Sequence, residues 1–106
     1  EYYGHWPNRY SYVLHQWGFE GIEHTSKGGR MNVFLDGFHR YGVLIDDDFI
    51  IYYFDGIEVE RMKTPEAVKV PLYPLVNLAL GPGWPLDKTP DPSYMYVDYI
   101  KIYKKL

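Results

Sequence analysis

The stretch that decides the fold spans residues 38–62 and reads FHRYGVLIDDDFIIYYFDGIEVERM. Its runs of β-branched and aromatic residues are separated by Asp46-Asp47-Asp48 and by Asp55-Gly56. Asp-Gly between two apolar runs is a strong signal for a β-hairpin, and Asp tolerates tight turns through local hydrogen bonds. The stretch therefore predicts three consecutive antiparallel strands, over residues 38–45, 49–55 and 57–62.

The middle strand of this group is apolar at both odd and even positions, since residues 49–54 read FIIYYF. A strand with one face in solvent alternates apolar and polar side chains. Two interpretations remain open. Either the strand is covered on both faces, or one face lines an aromatic groove of the kind that binds sugar rings.

Further strands are predicted on both sides of this stretch, over residues 10–17 (YSYVLHQW), 75–80 (LVNLAL) and 95–103 (MYVDYIKIY). Residues 18–30 contain four glycines and are predicted to be irregular. No window longer than about ten residues keeps a helical apolar period, so helices are at most short. Six strands separated by turn signals predict an all-β protein, an antiparallel β-sandwich in a single domain over residues 1–106.

Composition excludes several functional classes. The chain has 106 residues, of which 19% are aromatic, and its formal net charge of −3 leaves no basic excess for binding nucleic acid. Its apolar runs are too short to cross a bilayer. It contains no cysteine, which excludes disulfides and Cys-ligated zinc. The four histidines show no metal-ligand spacing and are predicted to be solvated or hydrogen-bonded strand residues.

Three blocks in order resemble glycoside hydrolase family 16. Residues 38–62 resemble its central strands, with the pattern Phe-His-x-Tyr, a turn, an aromatic strand and Asp-Gly. LVNLALGPGWP (75–85) and MYVDYIKIY (95–103) resemble two of its later segments. The resemblance implies a concanavalin-like jelly roll of two sheets with a concave substrate cleft. It also implies that this chain corresponds to the C-terminal half of such a domain, in a partial or compact version.

The resemblance gives the first residue a role. Family members carry Glu-x-Asp-x-(x)-Glu on the central cleft strand, commonly followed by aromatics and Gly, and Glu1-Tyr2-Tyr3-Gly4 matches the end of that motif. Glu1 would then be the general acid/base, with an exposed terminal carboxylate as the alternative interpretation. The nucleophile Glu and the assisting Asp would lie before residue 1. Because retention needs two carboxyl groups about 5–5.5 Å apart, we expect the isolated chain to be inactive.

Other positions are candidates for binding. Trp17 and Trp84 are the best candidates for stacking on sugar rings, with a core role as the alternative, and His39 of the Phe-His-x-Tyr pattern would support the cleft. Ile45 stands where the family often has Trp, which weakens any transfer of subsite residues. No cofactor is required, but Asp98 matches a position that can ligate a structural calcium in the family.

The function expected from this resemblance is endo-acting hydrolysis of β-1,3 or β-1,4 links in a β-glycan, with retention. The alternatives are a non-catalytic, lectin-like carbohydrate-binding module and a structural domain that uses its apolar face for a partner chain. A β-glycan is the expected partner, and secretion is favoured by the resemblance. Half a sandwich would expose inner-face aromatics and strand edges. Either the six strands close into a compact sandwich, with residues 18–30 folded over the open face, or two copies pair as a homodimer, which is the favoured expectation.

Overall fold

The computed structural model describes residues 1–18, 23–34, 36–81 and 83–104. The chain divides into two compact units, Glu1–Leu72 and Tyr73–Leu106. The first unit is all-β, with one short 3₁₀ turn, Glu66–Val68, among the residues that the structure describes. Its strands are β1 (Arg9–Gln16), β2 (Thr25–Asn32), β3 (Tyr41–Ile45), β4 (Phe49–Phe54) and β5 (Ile57–Lys63).

Strands β3, β4 and β5 form a three-stranded antiparallel meander, as residues 38–62 predicted. The acidic turn before β4 is closed by Asp46, whose carboxylate accepts hydrogen bonds from the Asp48 and Phe49 backbone N–H groups at 2.9 and 2.8 Å. The next turn is a two-residue loop in which Asp55 and Gly56 both have positive φ, 51° and 84°. This is the geometry that the Asp-Gly pair predicted.

Strand β3 begins three residues later than predicted, at Tyr41 rather than Phe38. The preceding residues bind the Asp55 carboxylate instead of pairing in the sheet. The Arg40 backbone N–H donates to Asp55 Oδ1 at 2.8 Å, and His39 Nδ1 lies 2.8 Å from Asp55 Oδ2. The carboxylate of the turn residue Asp55 therefore holds His39 and Arg40 in place just before β3 begins.

Strands β1 and β2 form a second, two-stranded antiparallel sheet. The prediction of an irregular segment over residues 18–30 is wrong from Thr25 onward, because β2 pairs with β1 along its whole length. The two glycines that suggested irregularity allow close approach. A Cβ at Gly28 would lie 2.0 Å from the Tyr12 carbonyl oxygen, and one at Gly29 would lie 2.5 Å from the Tyr12 hydroxyl. Residues 19–22 of that segment lie outside the described residues.

The two sheets of the first unit pack face to face as a small, open β-sandwich. Tyr10 and Tyr12 of β1 meet Phe54 and Tyr52 of β4, with ring centroids 5.5 Å apart for Tyr10–Phe54 and 5.4 Å for Tyr12–Tyr52. Met31, Val33 and Val59 pack around this cluster. The all-β antiparallel sandwich predicted from the sequence is thus confirmed, although its sheets do not close.

Both faces of β4 are covered, which decides between the two interpretations of its sequence. Ile50, on the face that carries Tyr52 and Phe54, is 1% exposed, and Ile51, on the opposite face, is 6% exposed. A register shift between Tyr52 and Tyr53 marks a β-bulge against β5. The strand is therefore a buried central strand and not the floor of an aromatic groove.

The second unit, Tyr73–Leu106, differs from the prediction. Residues 75–80 and 95–103 form no strand, although both were predicted to do so. A strand needs a hydrogen-bonded neighbour, and neither segment has a ladder partner in the described part of the chain. Their apolar side chains are largely exposed, among them Leu75, Tyr96 and Ile102.

No helix in the described ranges is long and apolar enough to cross a membrane.

Candidate active site

One face of the β1–β2 sheet gathers most of the chemically versatile side chains of the first unit. Because Tyr10 and Tyr12 point into the core, the alternating residues of β1 point to the opposite, outer side. The pairing of Ser11 with Arg30 places Arg30 on the same side. This outer surface, here named the Glu1 face, carries Glu1, Tyr3, Trp6, Arg9, His15, Trp17, His24 and Arg30.

Glu1 is held on this face by pairing with the edge of β1. Its backbone nitrogen donates to the Ser11 carbonyl oxygen at 2.6 Å, and the Ser11 N–H donates to the Glu1 carbonyl oxygen at 2.9 Å. Tyr2 continues the pairing as an antiparallel bridge to Tyr10. Directly opposed residues share a face, so the Glu1 side chain lies on the same side as Ser11.

The Glu1 carboxylate has two polar neighbours and remains about half exposed, at 48%. His15 Nε2 lies 4.0 Å from Glu1 Oε1. Burial, and then a hydrogen bond with the Glu1 side chain, raise the pKa of the Tyr3 hydroxyl, which donates to the carboxylate. A carboxyl group that is open to solvent and oriented by a phenol can exchange a proton with a bound oxygen atom.

Beside Glu1, two imidazoles and an indole form one stacked cluster. His15 Nδ1 and His24 Nε2 are 3.3 Å apart, and their rings are inclined by only 16°. Trp17 stacks on His24 with centroids 4.4 Å apart and an interplanar angle of 9°, and it stacks on His15 at 5.5 Å. The histidine pair therefore supports the indole from one side.

Trp17 remains 75% exposed despite these contacts. A flat ring that is fixed on one side and open to solvent over most of its surface can stack on the apolar face of a pyranose. The structure thus brings two of the predicted site residues, Glu1 and Trp17, onto one face, with His15 in contact with both.

At the other end of the Glu1 face, Trp6 is the centre of a second aromatic group. The guanidinium carbons of Arg9 and Arg30 each lie 5.2 Å from the centroid of the indole. Tyr3 meets Trp6 edge to face, with centroids 6.2 Å apart. Cations over an indole face are attracted by its negative potential, so both arginines are held against the ring.

His39 lies on the core side of the first unit and not on the Glu1 face. Its ring stacks on Phe54, with centroids 5.0 Å apart, and Phe54 packs on Tyr10 from the interior. Its Nδ1 contacts Asp55, and its buried Nε2 makes no hydrogen bond among the described residues, with Asp36 Oδ1 at 3.9 Å. The contacts of His39 fix the turn after β4, and its support of the cleft stays a prediction.

Trp84 and Asp98 belong to the second unit. Trp84 is partly exposed and lies over Gly81, where a Cβ would be 3.1 Å from the indole. Asp98 is exposed. Within the described ranges no three His, Asp or Glu side chains come together as a metal-binding group. A calcium ligated by Asp98 stays a prediction.

A shallow open depression lies elsewhere in the first unit, beside β3. It is lined by Arg40, Tyr41, Gly42, Val43, Leu44, Tyr53 and Gly56. None of these side chains is a carboxylate or an imidazole.

Sequence reasoning missed most of the residues that surround Glu1. The pairing of His15 with His24 depends on β2, which was predicted to be irregular, and the placement of Arg30 depends on the same strand. The signal that was available is the alternation Arg9-x-Ser11-x-Val13-x-His15-x-Trp17, which places these side chains on one face of any strand.

Comparisons with known proteins relate the chain to glycoside hydrolases. It is 48% identical over 69 residues to the endo-1,3-1,4-beta-glycanase ExsH of Rhizobium meliloti and 45% identical over 69 residues to EglC of the same organism, in each case covering 63% of this chain. It is 27% identical, across 96% of its length, to glucan endo-1,3-beta-glucosidase A1 of Niallia circulans. The chain spans only 15–18% of the length of these relatives.

No protein-family model matches the chain. No solved structure matches it either.

Proposed function

We propose that this chain is the cleft-forming part of an endo-acting β-glycan hydrolase similar to glycoside hydrolase family 16. The observation that carries the proposal is the placement of the Glu1 carboxylate and the open Trp17 indole on one sheet face, joined through His15. Supporting it are the three relatives, each named as a β-glycanase or β-glucosidase. The proposed substrate contains β-1,3 or β-1,4 links.

In this reaction Glu1 is the general acid/base. Its carboxyl group protonates the glycosidic oxygen as the bond breaks, and then removes a proton from the water that releases the product. The Tyr3 hydroxyl, hydrogen-bonded to this carboxyl group, orients it. Trp17 stacks on a sugar ring beside the scissile bond. The nucleophile for retention is the second carboxylate of the family motif, which the resemblance places before residue 1.

Binding of laminari- and lichenan-oligosaccharides to the chain tests the glycan-binding half of the proposal. Replacing Trp17 by Ala should weaken affinity by roughly 1–3 kcal/mol, because the indole loses its stacking on the sugar. Phe34→Ala is the matched control, since Phe34 is an equally exposed aromatic of the same unit, at 77% against 75% for Trp17. Unchanged affinity in a folded Trp17→Ala variant would show that the sugar does not lie on this face.

Release of reducing ends from the same oligosaccharides tests the catalytic half. We expect none above background from the chain, and none from Glu1→Gln, because losing one member of a catalytic set costs several orders of magnitude in rate. Hydrolysis by the chain that Glu1→Gln abolishes would mean that a carboxylate within these residues acts as the nucleophile.

A lectin-like module is the second candidate. It is favoured by the same exposed indole, since binding needs the platform and no nucleophile. Two results in a longer chain would support a lectin-like module. Glycan affinity would depend on Trp17 but not change in Glu1→Gln, and the longer chain would show no hydrolysis.

Three further predictions follow the family resemblance. They are sugar stacking by Trp84, a structural calcium ligated by Asp98 together with backbone oxygens, and secretion of the protein.

A further inference from the structure

The Trp6 end of the Glu1 face is positively charged in a chain that is acidic overall, with a formal net charge of −3. The two arginines that lie over Trp6 form no ion pair with an Asp or Glu side chain in the described ranges. Arg61 and Lys69, by contrast, each bind a glutamate, at 2.7 and 2.6 Å. Arg9 and Arg30 are therefore cations whose counter-charge the described part of this chain does not supply.

The geometry of this pair suits a bound anion. Each guanidinium carbon is 5.2 Å from the same indole centroid, so the two cations lie within about 10 Å of each other. Like charges at such a distance repel, and an anion between them would relieve the repulsion. Both arginines are exposed, so their N–H donors can reach a ligand. The guanidinium donors match a carboxylate in a bidentate fork.

The position of the pair relative to Glu1 decides what kind of anion would reach it. Arg9 and Trp17 are eight residues apart along β1 and its end, which is about 26 Å at the rise of an extended strand. Glu1 pairs with Ser11 between them. A glycan that stacks on Trp17 and passes Glu1 would therefore extend towards Trp6 and the two arginines.

We infer that Arg9 and Arg30 form a subsite for a carboxylate carried by the glycan, which makes this face selective for acidic β-glycans. The inference rests on the proposed function, because it needs the glycan to lie on the Glu1 face. In this inference the Trp6 end adds a charged contact to the aromatic stacking proposed at the Trp17 end.

A matched pair of probes tests this inference. One is a neutral β-1,3-gluco-oligosaccharide, and the other has the same backbone with its primary hydroxyls oxidised to carboxylates. Binding is followed by NMR chemical-shift changes of the chain at low salt. We expect the oxidised probe to bind at least about tenfold more tightly, as charge-assisted hydrogen bonds to guanidinium would provide. The preference should shrink at high salt because the arginines are exposed.

Arg9→Gln/Arg30→Gln should abolish the preference while leaving affinity for the neutral probe within about twofold. Arg61→Gln is the matched control, because Arg61 also lies 5.2 Å from a ring centroid, that of Phe49, and its loss changes the net charge in the same direction. If the double variant does not fold, two single variants replace it. Arg30→Lys keeps the positive charge but removes the bidentate guanidinium donors, and Arg9→Gln removes one of the two charges. These replacements should reduce the preference without changing neutral binding.

The outcomes separate the inference from the proposed function. Equal affinity for the two probes, or a preference that survives in Arg9→Gln/Arg30→Gln, overturns the acidic subsite and leaves the glycan-binding face intact. If Arg61→Gln also loses the preference, the inferred subsite is wrong, and the net charge of the chain explains the preference instead. If neither probe binds, both the subsite and the proposed glycan binding are wrong.

Discussion

One segment from each unit of the chain has a similar composition but a different structure. Strand β4 reads FIIYYF and residues 95–103 read MYVDYIKIY, so both segments are rich in tyrosine and isoleucine. In β4 the result is a central strand in which Ile50 is 1% exposed. In the second unit, Ile100 and Ile102 are 56% and 76% exposed, and no ladder forms.

The difference shows what an apolar, aromatic stretch requires. Strand β4 is hydrogen-bonded to β3 on one edge and to β5 on the other. Tyr10 and Tyr12 of β1 pack against one of its faces. Residues 75–80 and 95–103 have the same β-propensity without a described neighbour. Propensity for strands expresses how well side chains fit a packed, pleated surface, and it has little effect where that surface is missing.

The largest expected effect is in backbone protection. Amide hydrogen exchange of Ile50 and Ile51 should be slowed by at least about a thousandfold, because these amides open only with the unfolding of the whole unit. Amides of residues 75–80 and 95–103 should exchange at nearly the rate of an unstructured peptide. Exchange measured by NMR at low protein concentration checks this difference between the units.

Amide hydrogen exchange measured at higher protein concentration tests whether the second unit becomes ordered by association. We expect a homodimer at micromolar concentration, because a second copy would cover the exposed apolar segments. Protection of residues 75–80 and 95–103 should then rise with concentration, together with the sedimentation coefficient. A monomer at every concentration, with those amides protected, would contradict both expectations.

A pair of substitutions tests the comparison in terms of stability. Ile50→Ala should lower the free energy of unfolding by about 2–4 kcal/mol, since it removes a fully buried side chain and leaves a cavity. Ile102→Ala removes the same atoms from an exposed position of the second unit and should change stability by no more than about 0.5 kcal/mol. Denaturant unfolding measures both. Equal losses would mean that the second unit is packed in solution.

The smallest expected effect is a loss of stability at high pH. Burial, and then the neighbouring tyrosines, raise the pKa of Tyr10 to about 12. The unfolded chain loses this proton near pH 10 while the folded chain keeps it, so the stabilisation is complete below pH 10 and is lost as the pH rises to about 12. The loss should be on the order of 2 kcal/mol.

Unfolding measured between pH 9 and pH 12 checks this prediction. Tyr10→Phe should flatten the alkaline decrease, whereas Tyr103→Phe, at an 83% exposed position of the second unit, should leave it unchanged. An undiminished decrease in Tyr10→Phe would assign the effect to Tyr3, Tyr41 and Tyr52, whose pKa values are also raised, in each case by burial first.

The sequence predicted the parts of the fold that depend on local information. The turn at Asp55-Gly56 and the strands around it follow from turn chemistry and apolar runs within a few residues. Strand β2 was missed because its formation depends on β1. Only pairing with Tyr12 shows that Gly28 and Gly29 permit close packing and do not interrupt a strand.

The candidate site could be predicted only in part for the same reason. Glu1 and Trp17 were found through the family resemblance and through residue type. His24 and Arg30 reach the Glu1 face only through the register of β2, which is a long-range property. His39 contacts Asp55 and Phe54, which its position in the sequence did not predict, and its support of the cleft stays a prediction.

The Asp55-Gly56 turn also has a consequence for the order of folding. It joins β4 to β5 through a two-residue loop, and pairs in the meander are separated by no more than the 14 positions between Phe49 and Lys63. Pairs in the β1–β2 sheet are farther apart in sequence, from 9 positions between Gln16 and Thr25 to 23 between Arg9 and Asn32. Short loops cost less entropy to close, so the meander should nucleate folding and then act as the template onto which the β1–β2 sheet, and with it the Glu1 face, assembles.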